Sequence, residues 1–268
     1  MKKLKYSLML AFTALLVSAG YAQGLGGGSK FLIDTLQSRY MNEPRVICIY
    51  LPKDYSDSVP YPVVFATDGQ MITDGRYRVL LDSLIDRKII PPIILAGAYS
   101  NEKPVPVNLS YRHYEYVETM GSADDPKLKD LFVNHIGFFA EELIPYIEKR
   151  YSVSKERSSR FFYGASNGAG FGITLSRIHP ELFSELICFS PLGEKVKSIK
   201  WRPNISPTLH IAYGSNEDFA MDKYQALVKR LKKQKYRYTA IVYDGGHERL
   251  KWEREFVREL GSIFASRR

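Results

Sequence analysis

"FFYGASNGAG", residues 161–170, sets one serine between two glycines directly after an aromatic run. Gly164, Ser166 and Gly168 satisfy Gly-x-Ser-x-Gly, with strand-like "RFFYG" before the serine and helix-like "GAGFGITLSRIH" after it. A serine on a strand-to-helix turn is forced into a tight backbone geometry, so the residues two positions away on either side must lack bulk. Such a turn lifts the hydroxyl above the carboxyl edge of a sheet, beside a helix N-terminus whose N–H groups stabilise negative charge. Glycine and serine are also common in ordinary turns. The pentapeptide therefore acquires chemical meaning only if a base and an acid follow in the order this arrangement needs.

Both follow. "YDGGHERLKW" places His247 on a glycine turn between the last strand-like run and the final helix, and loops at the carboxyl ends of parallel strands are where such sheets collect reactive groups. The other histidines read differently: His179 precedes Pro180 at a helix end, His210 falls inside a strand, and His113 and His135 lie in or just after a long connection without an assigned role. The turn after the preceding strand, "IAYGSNEDFA", offers Glu217 and Asp218. Consecutive residues point in different directions, so only one of the two is expected to meet the imidazole; the alternative is that both merely cap the helix starting near Met221, since acids favour helix N-termini. The residues by themselves leave that choice open.

Working outward, short β-branched or aromatic runs recur at 45–52, 62–67, 92–99, 160–166, 185–191, 208–214 and 238–245. Most are continuously apolar, as strands covered on both faces must be. Helix-like segments separate them: Gly75 to Lys88, Phe138 to Tyr151, Gly168 to His179, Met221 to Gln234 and Lys251 to Ser266. Strand alternating with helix at this spacing predicts an α/β fold with a mostly parallel central sheet flanked by helices. A chain of 268 residues without repeats fits one such domain. One connection is long: from Ser100 to about Leu131 the sequence carries prolines, tyrosines and little periodicity, and an excursion of this size is usually functional or mobile. It supplies Tyr111, Arg112, Tyr114 and Tyr116 as candidate substrate-binding residues, able to stack on aromatic rings and to pair with anionic or phenolic oxygens. The same tyrosines could instead form a cap packed on the sheet.

The first residues combine a basic start (Lys2, Lys3, Lys5), an apolar run from Leu8 to Val17 and small residues at Gly20 and Ala22. This is the layout of a secretory signal peptide over residues 1–22, its apolar run too short to span a bilayer. The expectation is a periplasmic or secreted protein with no stable membrane anchor after cleavage. Residues 23–42, opening on the glycine-rich "GLGGGSK" (24–30), read as a flexible lead-in, and residues 43–268 as the folded domain. Cleavage would remove three lysines and no acid, lowering the formal charge from +9 to +6. The basic stretch "KRLKKQKYRY" (229–238) fits the exposed side of a helix, so no nucleic-acid partner is expected. Cys48 and Cys188 read first as buried small hydrophobes, with a disulfide possible in an exported chain. The Cys/His spacings of a zinc site are absent, and neither a metal nor an organic cofactor is called for.

Taken together, "RVICIYLPKDY", "FATDGQ", "IIPPIILAG", "EELIPYIEKRY", "GASNGAG", "HPELF", "GSNED" and "GGHERLKW" resemble the esterase D-like ("Putative esterase") family of α/β hydrolases over roughly residues 43–264. That family includes enterochelin esterase-like proteins, feruloyl and acetyl-xylan esterases, S-formylglutathione hydrolases and mycolyltransferases. The resemblance implies an α/β-hydrolase fold and a serine esterase with Ser166 as nucleophile, His247 as base and Glu217, the third residue after Gly214, as the acid. It further implies an oxyanion hole from the backbone N–H groups of Asn167 and Gln70, and Trp252 packed beneath the histidine turn. The substrate implied is a small-molecule or oligosaccharide ester, such as a siderophore or a hydroxycinnamoyl or acetyl sugar ester. Two alternatives stand beside hydrolysis: an acyltransferase, or a carbohydrate- or peptide-binding module on a hydrolase scaffold. The chain departs from the family pattern at Thr67, where an apolar residue is more usual, and in "SPLGEKVKSIKW" (190–201), which lacks the usual aromatic spacing.

Overall fold

A computed structural model describes residues 28–105, 108–121, 125–193, 195, 200, 202 and 204–267. The expected signal peptide lies outside the described residues, as does the start of the lead-in. Eight strands form one sheet: β1 (Lys30–Ser38), β2 (Glu43–Leu51), β3 (Val63–Ala66), β4 (Ile94–Ala98), β7 (Arg160–Ala165), β8 (Glu185–Phe189), β9 (Thr208–Gly214) and β10 (Tyr238–Tyr243). The remaining pair, β5 (Pro104–Val105) and β6 (Leu109–Ser110), makes a small separate hairpin. The order in the large sheet is β1-β2-β4-β3-β7-β8-β9-β10. From β4 to β10 every neighbouring pair is parallel, whereas β2 is antiparallel to both β1 and β4. The continuously apolar runs explain this: β3 and β4 are buried at every residue, and such strands must be covered on both faces.

Parallel neighbours need crossover connections, which the helices provide. They are α1 (Gly69–Asp74), α2 (Tyr77–Asp86), α3 (Tyr111–Tyr116), α4 (Pro126–Lys129), α5 (Leu131–Gly137), α6 (Ile144–Arg150), α7 (Asn167–Ile178), α8 (Met221–Lys233) and α9 (Arg249–Ala265). A π-turn over Phe138–Leu143 joins α5 to α6, so the helix expected to begin at Phe138 starts earlier, at Leu131. The side chains of each strand divide between two cores. In β7, Phe162 joins one cluster with Phe139, Phe171 and Phe183, while Phe161, Tyr163 and Ala165 join the other with Tyr77, Phe256 and Leu260. Cys188 and Cys48 fall in different clusters, and both are thiols: Cys48 Sγ contacts Gly69 O at 3.4 Å and Cys188 Sγ contacts Ala169 O at 3.6 Å.

Two expectations need correction here. Residues 30–38 are not a flexible lead-in; they form β1, paired with β2 from Lys30↔Leu51 to Ser38↔Glu43. Phe31, Leu32 and Leu36 pack half-buried against the two cores, and Ser38 Oγ donates to the Glu142 carboxylate at 2.6 Å, so both backbone pairing and side-chain burial hold the segment. The described residues of the long connection also hold more regular structure than its lack of periodicity predicts: the β5–β6 pair, α3 and α4. Among the described residues no helix is long and apolar enough to cross a membrane.

Candidate active site

The turns at the carboxyl ends of β3, β7, β8, β9 and β10 meet on one rim of the sheet. Ser166, between β7 and α7, has φ 56° and ψ −130°, a backbone state costly for any residue with a Cβ. Its backbone is held firmly: the N–H donates to Phe189 O at 2.8 Å, and the carbonyl accepts from Ala169 N (3.1 Å), Gly170 N (3.2 Å) and Leu192 N (3.1 Å). The flanking glycines are sterically required. A Cβ on Gly164 would lie 2.7 Å from the Gly168 backbone, and one on Gly168 would collide with Thr67 Oγ1. Asn167 and Gln70 occupy the first and second positions of α7 and α1, where a backbone N–H has no intrahelical acceptor.

His247 follows β10. Its Nδ1 lies 2.7 Å from Glu217 Oε2, and its ring is clasped edge-to-face by Trp252 (4.8 Å) and by Phe219 (5.5 Å). Glu217 is wholly buried while Asp218 is exposed. Four further donors converge on the Glu217 carboxylate: Gly214 N at 2.7 Å, Ser190 Oγ at 2.7 Å, Tyr224 OH at 2.6 Å and Tyr243 OH at 3.1 Å. Burial alone would push its pKa up, but the hydrogen bonds from His247, Tyr224, Ser190 and Gly214 outweigh that and hold it down at about 2. An ionised acid on Nδ1 fixes the proton there and leaves Nε2 as the basic nitrogen. The Trp252 indole N–H donates to Ser190 Oγ and Tyr243 OH, both at 3.1 Å, tying the network to α9.

Ser166 and His247 line the same open cavity of about 330 Å³, together with Gln70, Arg112, His113 and Trp252. No Ser166–His247 hydrogen bond is formed among the described residues. Catalytic contacts of this kind are often long until substrate arrives.

Over residues 38–263 the chain matches the family described as "Putative esterase". It belongs to that family. The esterase is also 24% identical over 231 residues to "Uncharacterized protein YjcH" of Bacillus subtilis (strain 168), covering 81% of this chain and 90% of that one. Among solved structures it is similar to a ferulic acid esterase (TM-score 0.74, 20% identity, 89% of this chain and 98% of that chain). It is similar too to the enterobactin esterase of Shigella flexneri (TM-score 0.69, 19% identity, 91% and 61%). At these identities the structural likeness concerns the fold, that of α/β hydrolases. Family and fold together make the protein a carboxylic ester hydrolase.

Of the four expected substrate-binding residues, the esterase brings only Arg112 to the cavity. Tyr111 and Tyr114 are half-buried and not among its lining residues, and the Tyr111 ring receives the Lys103 ammonium at 4.9 Å instead. Tyr116 cannot touch substrate: it is 1% exposed, packed against Phe171 and His135. In α3 the residues at i, i+3 and i+4 share one face, and here Arg112, Glu115 and Tyr116 all turn inward.

The structure also brings forward residues whose place in the site sequence reasoning misses. Asp68 and His113 line the cavity. His113 Nδ1 accepts from Ser110 N at 3.1 Å in a capping box, a signal present in the Ser110–His113 spacing. Phe219 is 64% exposed beside the His247 ring. No cluster of three His, Cys, Asp or Glu side chains able to hold a metal occurs among the described residues.

Proposed function

We propose that this esterase is an exported serine hydrolase that cleaves a carboxylic ester through an acyl-enzyme on Ser166. His247 takes the Ser166 hydroxyl proton as the oxygen attacks the ester carbonyl, and the buried Glu217 carboxylate stabilises the imidazolium that results. The oxyanion is received by the Asn167 and Gln70 N–H groups; one such donor lowers the barrier by about 2.7–4 kcal/mol. The alcohol leaves with the proton from His247. Water then attacks the acyl-enzyme, giving its proton to His247, and the carboxylic acid departs as Ser166 is reprotonated. The observation that carries this reading is the 2.7 Å contact between the Glu217 carboxylate and the His247 imidazole, a ring that lines the same cavity as the positive-φ Ser166.

The substrate class we favour is an aromatic ester. The sequence-based reason, a tyrosine cluster, no longer supports it, because Tyr116 is buried. What supports it is the exposed ring of Phe219 against His247, itself a cavity-lining residue, together with likeness to esterases named for ferulic acid and enterobactin. Export rests on the composition of residues 1–22. Ser166→Ala should abolish both turnover of p-nitrophenyl acetate and labelling by a fluorophosphonate probe; wild-type turnover in that variant overturns the assignment. Parallel assays on enterobactin and feruloylated arabinoxylan oligosaccharides test the substrate class, and N-terminal sequencing of protein recovered outside the cytoplasm, expected to begin at Gln23, tests export.

A further inference from the structure

Arg112 is expected to meet substrate, yet one of the two bidentate edges of its guanidinium, Nε with Nη2, is already occupied. Its Nε donates to Asp68 Oδ1 at 2.6 Å and its Nη2 to Asp68 Oδ2 at 2.8 Å. This bidentate pairing is the strongest geometry available to a guanidinium and a carboxylate. The guanidinium also lies over the Tyr116 ring at 4.8 Å, and the Arg112 N–H donates to Asn101 O at 2.8 Å.

Asp68 is the more telling partner. It is 2% exposed and sits at φ 55° and ψ 47°, a conformation a residue with a Cβ holds only when its surroundings enforce it. Its N–H donates to Tyr116 OH at 3.3 Å. The chain leaving Asp68 enters α1 at Gly69 and presents Gln70 at once. On its other side, the carboxylate lies close beside the elbow: a Cβ on Gly168 would come within 2.9 Å of Asp68 Oδ2, and Gly168 directly follows Asn167. One carboxylate thus bears on both segments that carry the two oxyanion N–H groups.

We propose that Arg112 is a positioning residue that acts through Asp68 to fix the spacing of the Gln70 and Asn167 amides, and is not a ligand for substrate. This rests on the reading of those amides as the oxyanion donors. Such donors work only when held at hydrogen-bonding distance from where charge develops, so a small shift in the Asp68 turn is felt in the transition state more than in substrate binding. Loss of Arg112 also leaves the Asp68 charge buried and unpaired at the rim of the site.

The test compares Arg112→Gln, Arg112→Lys, Asp68→Asn and the Arg112→Gln/Asp68→Asn double variant with the wild-type chain. The substrates are a neutral ester, p-nitrophenyl acetate, and a carboxylate-bearing one, mono-p-nitrophenyl succinate. Phenylboronic acid, whose serine adduct places an oxygen at the oxyanion position, reports on that site without turnover. The expected result is a kcat loss of about ten- to a hundredfold on both esters with KM within about twofold. The phenylboronic acid Ki should rise by a similar factor, Arg112→Lys should be intermediate, and the double variant no worse than the worse single one. Should Arg112→Gln fail to fold by circular dichroism, Arg112→Lys and Asp68→Asn carry the same comparison. Unchanged kcat and Ki in the folded variants overturn the inference, as does a KM increase confined to the succinate ester, which would make Arg112 a substrate ligand. An active wild-type enzyme with indifferent variants defeats this inference alone; a wild type inactive on both esters defeats the serine-esterase reading and this inference with it.

Discussion

The Glu217 carboxylate lies 2.7 Å from His247 Nδ1, whereas its sequence neighbour Asp218 is exposed to solvent. Consecutive residues face apart, and the structure assigns the inward one to the imidazole. Glu217→Gln should therefore lower kcat by about a thousandfold or more by stabilising the wrong tautomer. Asp218→Asn should stay within about twofold of wild type. Steady-state kinetics on p-nitrophenyl acetate with both variants checks the assignment, and a reversed order of effects refutes it.

The same carboxylate governs acid stability. Its pKa falls from 4.5 to about 2 on folding, because hydrogen bonds to the ionised form overcome burial. A group with a depressed folded pKa contributes stability that is present above its unfolded value and lost as pH falls through the folded value. Wild-type protein should lose this contribution between about pH 4.5 and pH 2. Urea titrations across that window should give a shallower pH dependence for Glu217→Gln; identical slopes would show that the carboxylate is not held as described.

At the opposite end of β9 a second histidine acts in the reverse sense. His210 Nε2 lies 2.9 Å from Glu185 and Nδ1 lies 3.2 Å from Glu259 and 3.1 Å from Thr239 Oγ1, while Arg267 pairs with Glu185 and Arg258 with Glu259. Burial pushes its pKa down, but hydrogen bonds and charge from the two glutamates prevail and raise it above 6.5, as the lowered pKa of Glu185 agrees. The stability this gives is fully present below pH 6.5 and lost as pH rises through the folded pKa. Melting temperature should fall on going from pH 6 to pH 8.5, and His210→Asn should flatten that slope.

Ser166 stores backbone strain for the sake of its hydroxyl. Ser166→Gly, free of a Cβ at φ 56°, should be more stable than Ser166→Ala by about 1 kcal/mol, although neither should turn over ester. Chemical denaturation of the two variants checks this; equal midpoints would mean that the turn is unstrained.

Phe219 offers an exposed ring beside His247. Phe219→Ala should raise KM for a feruloyl ester by about three- to tenfold while leaving that for an acetyl ester nearly unchanged, as expected for loss of one aromatic contact. Equal effects on both esters would remove Phe219 from substrate selection.

Much of this architecture is legible from sequence because buried parallel strands must be apolar throughout and because the elbow needs small residues at positions 164 and 168. The strand Lys30–Ser38 escapes notice for a physical reason: it sits at the sheet edge, turns Ile33, Thr35 and Gln37 toward water, and owes its order to pairing with β2 and to the bonds of Asp34 with Tyr146 and Arg150. In α3, six residues are too few for an apolar period to emerge. The inward turn of Arg112, Glu115 and Tyr116 depends on ion pairs with Asp68 and Arg45, residues 44 and 70 positions away. Long-range electrostatic partners of this kind leave no local trace in the chain.

The hub at Glu217 also bears on when the protein becomes competent during its synthesis. Its partners at positions 190, 214, 224, 243 and 247 all belong to the last third of the polypeptide. A nascent chain halted before β10 would carry its serine and glycine elbow but neither the imidazole nor the carboxylate's full set of donors. Hydrolytic power would then be acquired late and in a single event, once the final segment has left the ribosome and closed over the rest.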